Sequence, residues 1–270
     1  MERKLVLALA PTGGWGTAHG NPVDPELIRD QVLSCAELGV SWVHLHSRDL
    51  KGGLSADPGL YLKTCSLIRA ESDIIIEAST GGLSDMGAAD RARTLEAPEA
   101  ECASFNMGSL NFGDKVYHNS VPDIRYWLDA MRKSGKLPTL EIFDTGNLAT
   151  AHALIAEGLL ASPLSYNFIF NALWGMPYQP LLLSALRSMI DPRDRWGAVF
   201  FGYADFALHV QSILLGAAFT RIGFEDSRMI DGKEAVDNVQ IARAFRKAMD
   251  AMGIQLATPR EAREIMGVPC

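Results

Sequence analysis

Val40-Ser41-Trp42-Val43-His44-Leu45-His46-Ser47-Arg48-Asp49 opens as a short apolar run and ends in two histidines two residues apart. The run over 40–46 reads as a buried strand. Side chains alternate between the two faces of a strand, so His44 and His46 share one face. Two imidazoles at one strand end can hold a divalent metal when a third ligand arrives from elsewhere in the fold. Two histidines satisfied by ordinary neighbours are the plainer alternative. What the rest of the chain brings to that strand end decides between them.

The same strand-then-helix unit lies on either side. Leu5 to Ala10 reads as a first strand, followed by a loop over 11–23 rich in Gly, Pro and Thr. Asp24 is a good helix N-cap, Pro25 suits the first helical position, and Gly39 stops the helix. Asp57-Pro58 opens a second helix after the histidines. Further strands are expected at 73–77, 100–107, 140–143, 164–170, 196–201 and 220–224. Helices are expected between and after them, at about 84–95, 122–133, 147–157, 179–189, 205–215 and 236–252. Alternation with short connections implies parallel strands, and eight such units in about 250 residues match a (β/α)8 TIM barrel. The expectation is one α/β catalytic domain over 1–270. An open doubly wound sheet is the alternative, but Pro11-Thr12-Gly13-Gly14-Trp15-Gly16 lacks the G-x-G-x-x-G spacing of its first turn.

Composition narrows the function classes. Hydrophobic residues make up 48% of 270 residues, yet no apolar run reaches the roughly 20 residues of a membrane span. The N-terminal apolar run is too short for a signal-peptide core, so it reads as a strand. The formal charge is -7 and there is no basic cluster, which argues against nucleic acid as a partner. Cys35, Cys65, Cys102 and Cys270 show no C-x-x-C spacing, so a cysteine zinc site is not expected and reduced cytosolic thiols are.

In such barrels the chemistry sits at the C-terminal strand ends. Strand eight ends in Arg221 to Asp226 and closes the ring beside strand one, next to strand two. Glu225 can therefore reach the mouth that His44 and His46 face, and two His plus one Glu with an open position is a common catalytic zinc set. Capping of the following loop is the other role open to Glu225-Asp226. Arg221, deeper in the barrel, is either an ion pair with a strand-end acid such as Glu141 or a clamp for a substrate carboxylate. Asp226 can act as a general base while a metal stabilises an enolate. Ser79-Thr80-Gly81-Gly82 and Asn106-Met107-Gly108-Ser109 look like turns that bind an anion or a carbonyl.

Several blocks in order resemble the β-keto acid cleavage enzymes, whose founding activity is cleavage of 3-keto-5-aminohexanoate. They are Pro11-Thr12-Gly13 with Asn21-Pro22, His44 to Asp49, Ser79 to Gly82, Ser104 to Phe112, Glu141 to Asp144, and Arg221 to Asp226. The resemblance covers nearly the whole chain. It implies a zinc-dependent TIM barrel, usually a homotetramer, that condenses a β-keto acid with acetyl-CoA to give acetoacetate and a new acyl-CoA. By resemblance, zinc falls to His44, His46 and Glu225, the carboxylate clamp to Arg221 and the base to Asp226. Ser79 and Asn106 contact substrate, with Thr80, Gly81 and Ser109 in the same turns, and Glu141 orients the site from behind. Trp15 stands where some members carry an acidic residue facing a cationic substrate group, which implies a substrate tail that is not cationic. Ser227 replaces a usual Asn, and 171–175 and 202–204 depart from the family's pattern where CoA and the substrate pocket are expected. A CoA-independent zinc lyase or aldolase, and a non-catalytic barrel that binds a carboxylate, are the competing readings.

Overall fold

The computed structural model describes residues 4–14, 16–82 and 85–269. Its barrel strands are β1 (Val6–Leu9), β2 (Trp42–Leu45), β3 (Ile75–Ser79), β4 (Cys102–Asn106), β5 (Leu137–Ile142), β6 (Ser165–Phe170), β7 (Arg195–Phe200) and β8 (Phe219–Ile222). Each pairs in parallel with its sequence neighbours, and β1 pairs with β8 through Leu9 and Ile222 to close the ring. The expected (β/α)8 barrel is therefore the fold. Helices α1 (Pro25–Glu37), α2 (Gly59–Glu71), α3 (Ala88–Ala92), α4 (Val121–Ser134), α5 (Thr145–Ala156), α6 (Pro180–Ser188), α7 (Ala207–Leu214) and α8 (Asn238–Ala251) follow the strands in turn.

Local chemistry explains most of these boundaries. Asp24 accepts from the N–H groups of Glu26 and Leu27, and Pro25 leads α1. Ser120 and Asp123 form a capping box at α4, which ends on left-handed Gly135. The helix expected over 84–95 is shorter: α3 gives way to a 3-10 turn at Arg93–Glu96, and residue 84 lies outside the described residues. Sequence reading also passed over a hairpin of Leu110–Phe112 with Lys115–Tyr117, and a last helix, α9 (Pro259–Met266). The α9 signal was present, since Thr258 and Glu261 form a capping box with Pro259 behind the cap.

Strand alternation sorts the core into layers. Outward residues such as Leu7, Val43, Ile76, Phe105, Leu140 and Phe168 are buried beneath the helices. Inward, Val6, Ala8, Trp42, Ile75, Cys102 and Phe219 form a dry plug at the N-terminal end, closed by Ala262 and Met266 of α9. Trp42 and Phe219 stack there with ring centroids 6.3 Å apart. A Cβ at Gly197 would lie 2.5 Å from the Phe219 ring, so only glycine leaves room for that stack. One step up each strand the inward residues turn polar: His44, Glu77, Asn106, Glu141, Asn167 and Arg221 are all buried. Two steps up, Phe143, Ile169 and Val199 form an apolar rim against the 110–117 hairpin. Among the described residues no helix is long and apolar enough to cross a membrane.

Candidate active site

His44 sits opposite Glu77 in the β2–β3 register. That register brings the His44 Nδ1 proton to Glu77 Oε2 at 2.7 Å, with both side chains buried. A proton held on Nδ1 leaves the Nε2 lone pair pointing into the barrel mouth. His44 Nε2 lies 3.2 Å from His46 Nε2. Gly81 makes that position possible for His46, because a Cβ there would lie 2.5 Å from His46 Cε1.

Glu225 arrives through barrel closure. Gly223 follows β8 with φ of 125°, and a Cβ at this residue would collide with the Ala10 carbonyl oxygen. The turn it permits lets the Glu225 N–H donate to Ala10 O at 3.1 Å, and the Asp226 and Ser227 N–H groups to Gly223 O at 3.0 Å each. Asn238 secures the same turn by accepting the Phe224 N–H at 3.0 Å while donating to Pro11 O at 2.9 Å. The Glu225 carboxylate then lies 3.3 Å from His46 Nε2 and 3.7 Å from His44 Nε2. The donor atoms of His44, His46 and Glu225 all fall within 4.8 Å of one another. Two imidazole nitrogens and a carboxylate, with one imidazole fixed from behind by an acid, are a donor set that fits Zn2+ with a position left open.

Arg221 forms a floor beside this cluster. Its Nε and Nη2 donate to Asp226 at 2.9 and 2.6 Å, and Nη2 also reaches Glu225 at 3.2 Å. Nη1 is buried with no hydrogen-bond partner among the described residues and lies 3.9 Å from Glu141. Burial opposes the Arg221 charge, but Asp226 and Glu225 outweigh it and hold the guanidinium firmly protonated. Burial pushes Glu141 up to about 7. It also pushes Asp226 up to about 6, against the pull of Arg221. Burial lowers His46 to about 4, whereas at His44 the carboxylates of Glu225 and Glu77 outweigh burial and raise it.

The expected site residues other than His44 lie in unlike surroundings. His46, Gly81, Glu141, Arg221 and Glu225 line one cavity of about 680 Å³ at the C-terminal face. Asp226 is fully buried behind Arg221, with both oxygens engaged. Asn106 is buried, and neither of its amide atoms has a partner among the described residues. In the turns, the Ser79 hydroxyl accepts the Gly81 N–H at 3.0 Å and the Thr80 hydroxyl donates to Ser104 O at 2.9 Å. Ser109 is exposed and its hydroxyl accepts the Asn119 N–H at 2.7 Å. Trp15 lies outside the described residues.

Glu77 is the partner that sequence reading left without a role: strand alternation can set it on an inward face, and the β2–β3 register puts it beside His44. Arg48 is a second. It lines the cavity and donates from Nη1 to Gly52 O at 2.9 Å, while its buried Nε has no partner among the described residues.

The family model for beta-keto acid cleavage enzymes matches residues 4–268. The chain belongs to that family. A curated relative is the 3,5-dioxohexanoate:acetyl-CoA acetone transferase of Paraburkholderia graminis, 30% identical, with 98% of this chain and 96% of the relative covered. Another is the 3-keto-5-aminohexanoate cleavage enzyme of Fusobacterium nucleatum, 28% identical, with 99% of each covered. Among solved structures, the binary complex of ObcA with oxaloacetate superimposes with a TM-score of 0.79 at 18% identity, over 93% of this chain and 68% of that one. This last likeness speaks to the fold alone. Family membership makes the protein an enzyme of β-keto acid cleavage.

Proposed function

We propose that this family member condenses a β-keto acid with acetyl-CoA, releasing acetoacetate and the acyl-CoA of the keto acid's tail. The observation that carries this reading is the convergence of His44, His46 and Glu225 beside Arg221, whose Nη1 has no partner among the described residues, with His46, Glu225 and Arg221 lining one cavity. Relatives named as acetyl-CoA transferases of 3,5-dioxohexanoate and 3-oxoadipate support the choice of co-substrate. A zinc ion held by His44, His46 and Glu225 would supply Lewis acidity toward the keto oxygen.

The chain's own residues account for the rest. Arg221 Nη1 takes the substrate carboxylate, and Glu141, 3.9 Å away, orients the guanidinium. Asp226, near 6, is ionised at neutral pH yet basic enough to accept the C2 proton. Reaching that proton requires Asp226 to be released from Arg221, and the substrate carboxylate competes for the same guanidinium. C2 then adds to the acetyl thioester carbonyl and the CoA thiolate leaves. The thiolate attacks the tail ketone, the C2–C3 bond breaks in a retro-Claisen step, and the proton returns to C2. The Asn106 amide has a free donor to offer a carbonyl oxygen, and Ser79 and Gly81 shape the turn beside it. Thr80 and Ser109 support the substrate from these turns rather than as part of the metal cluster. We further propose an uncharged tail for the keto acid.

The test combines metal analysis of the purified protein with mass spectrometry of CoA products across β-keto acids. Roughly one zinc per chain and a new acyl-CoA matching the keto acid are expected. Loss of the keto acid at an equal rate without acetyl-CoA would replace the transferase with a lyase. Family resemblance also implies a cytosolic homotetramer, which light scattering on the purified enzyme checks for assembly.

A further inference from the structure

We infer that the site selects β-keto acids with an apolar tail, an inference that rests on the acyl-transfer reading above. The cavity has two unlike poles. The metal cluster comes from β2 and β8, which flank β1. Across the mouth, the ends of β5, β6 and β7 contribute Phe143, Ile169 and Phe201, and the 110–117 hairpin adds Phe112 and Tyr117. Phe143 and Ile169 are 5% and 1% exposed, so this wall is packed rather than adaptable. Tyr117 meets Phe143 and Phe112 edge-on, each at 6.3 Å between centroids.

The side chains of that wall, Phe112, Tyr117, Phe143, Ile169 and Phe201, carry no charge themselves, although Lys115 stands on the same hairpin. Asp85 and Lys115 are the ionic groups lining the far side, and they stand at the exposed rim, 3.4 Å from each other. Arg48 lies at the metal end, two residues beyond His46, and bonds back to Gly52. With the carboxylate on Arg221 and the keto group at the cluster, a tail extends onto the partly buried Phe112, Tyr117 and Phe201, which Phe143 and Ile169 back from beneath. A charged tail group held on this wall, short of the Lys115–Asp85 pair at the rim, would be desolvated without a counter-charge, which costs far more than a methylene gains.

The experiment uses three unreactive six-carbon carboxylates on the zinc-loaded protein: hexanoate, 6-aminohexanoate and adipate, with affinities from titration calorimetry. Hexanoate should bind at least tenfold more tightly than either charged-tail ligand, and each added CH2 should tighten binding about fourfold. A ratio below tenfold overturns the inference, as does failure of hexanoate to bind at millimolar concentration. Phe112→Glu, on the half-buried hairpin, should narrow or reverse the hexanoate to 6-aminohexanoate ratio; an unchanged ratio would remove this wall from tail selection. If no β-keto acid yields an acyl-CoA while the carboxylate order holds, the acyl-transfer reading fails and the tail preference stands.

Discussion

Replacing Glu77 with Gln keeps the shape beneath His44 and removes the charge. In the native protein Glu77 Oε2 accepts the His44 Nδ1 proton at 2.7 Å, in a place where both side chains are nearly sealed from water. A hydrogen bond to an ionised acceptor is about twice as strong as a neutral one. A neutral amide also makes His44 Nε2 a poorer donor to a cation, and its NH2 can turn toward Nδ1 and reverse the tautomer. Together these amount to roughly 1.5–3 kcal/mol of metal binding, or about 10–100-fold in affinity, the range seen when such outer partners are lost. The metal-free fold should not suffer equally, since Glu77 Oε1 is already buried without a partner and Gln places a neutral atom there. The assay is zinc affinity by competition with a chromophoric chelator, alongside thermal melting of the metal-free protein. A zinc Kd within twofold of wild type would refute the reasoning, because His44 would then need no acid behind it.

Other consequences are as direct. Gly81→Ala places a Cβ 2.5 Å from His46 Cε1, so zinc affinity should fall at least tenfold while circular dichroism keeps the barrel signature. Gly197→Ala drives a methyl into the Phe219 ring far from the metal, and should cost about 1–3 kcal/mol of stability by denaturant unfolding without changing zinc affinity. Glu141, raised in the fold to about 7 from an ordinary 4.5, binds its proton more tightly folded than unfolded. Its contribution is favourable below pH 4.5 and is lost as pH rises through 7, so Glu141→Gln should flatten the fall in melting temperature of metal-free protein between pH 5 and 8. Parallel melting curves for mutant and wild type would contradict that assignment. Arg221→Met leaves Asp226 and Glu225 buried without their counter-charge, and should destabilise the barrel by about 3–5 kcal/mol, measured by urea unfolding.

Much of the site was legible because its elements obey local rules. Period-two alternation put His44 and His46 on one face, and the strand–helix rhythm called for a barrel whose last strand returns Glu225 to them. The partners behind those side chains were harder to see. A one-residue slip between β2 and β3 would turn Glu77 outward, and nothing near either strand in sequence announces the His44–Glu77 register. Asp226 could be placed near Arg221 but not behind it, because the direction of its side chain depends on the turn that Gly223 makes against Ala10.

The chain alone therefore determined the fold class, the pair of histidines and the set of acids available to complete their site. Those follow from periodicity and caps acting over a few residues. Tertiary structure decided which acid lies beneath His44, 33 residues away, and how Glu225 meets His46, 179 residues away. It also decided that an apolar wall from β5, β6, β7 and the 110–117 hairpin faces the His44, His46 and Glu225 cluster. Contacts at such separations depend on strand register and ring closure, which the whole barrel sets at once and no local pattern encodes.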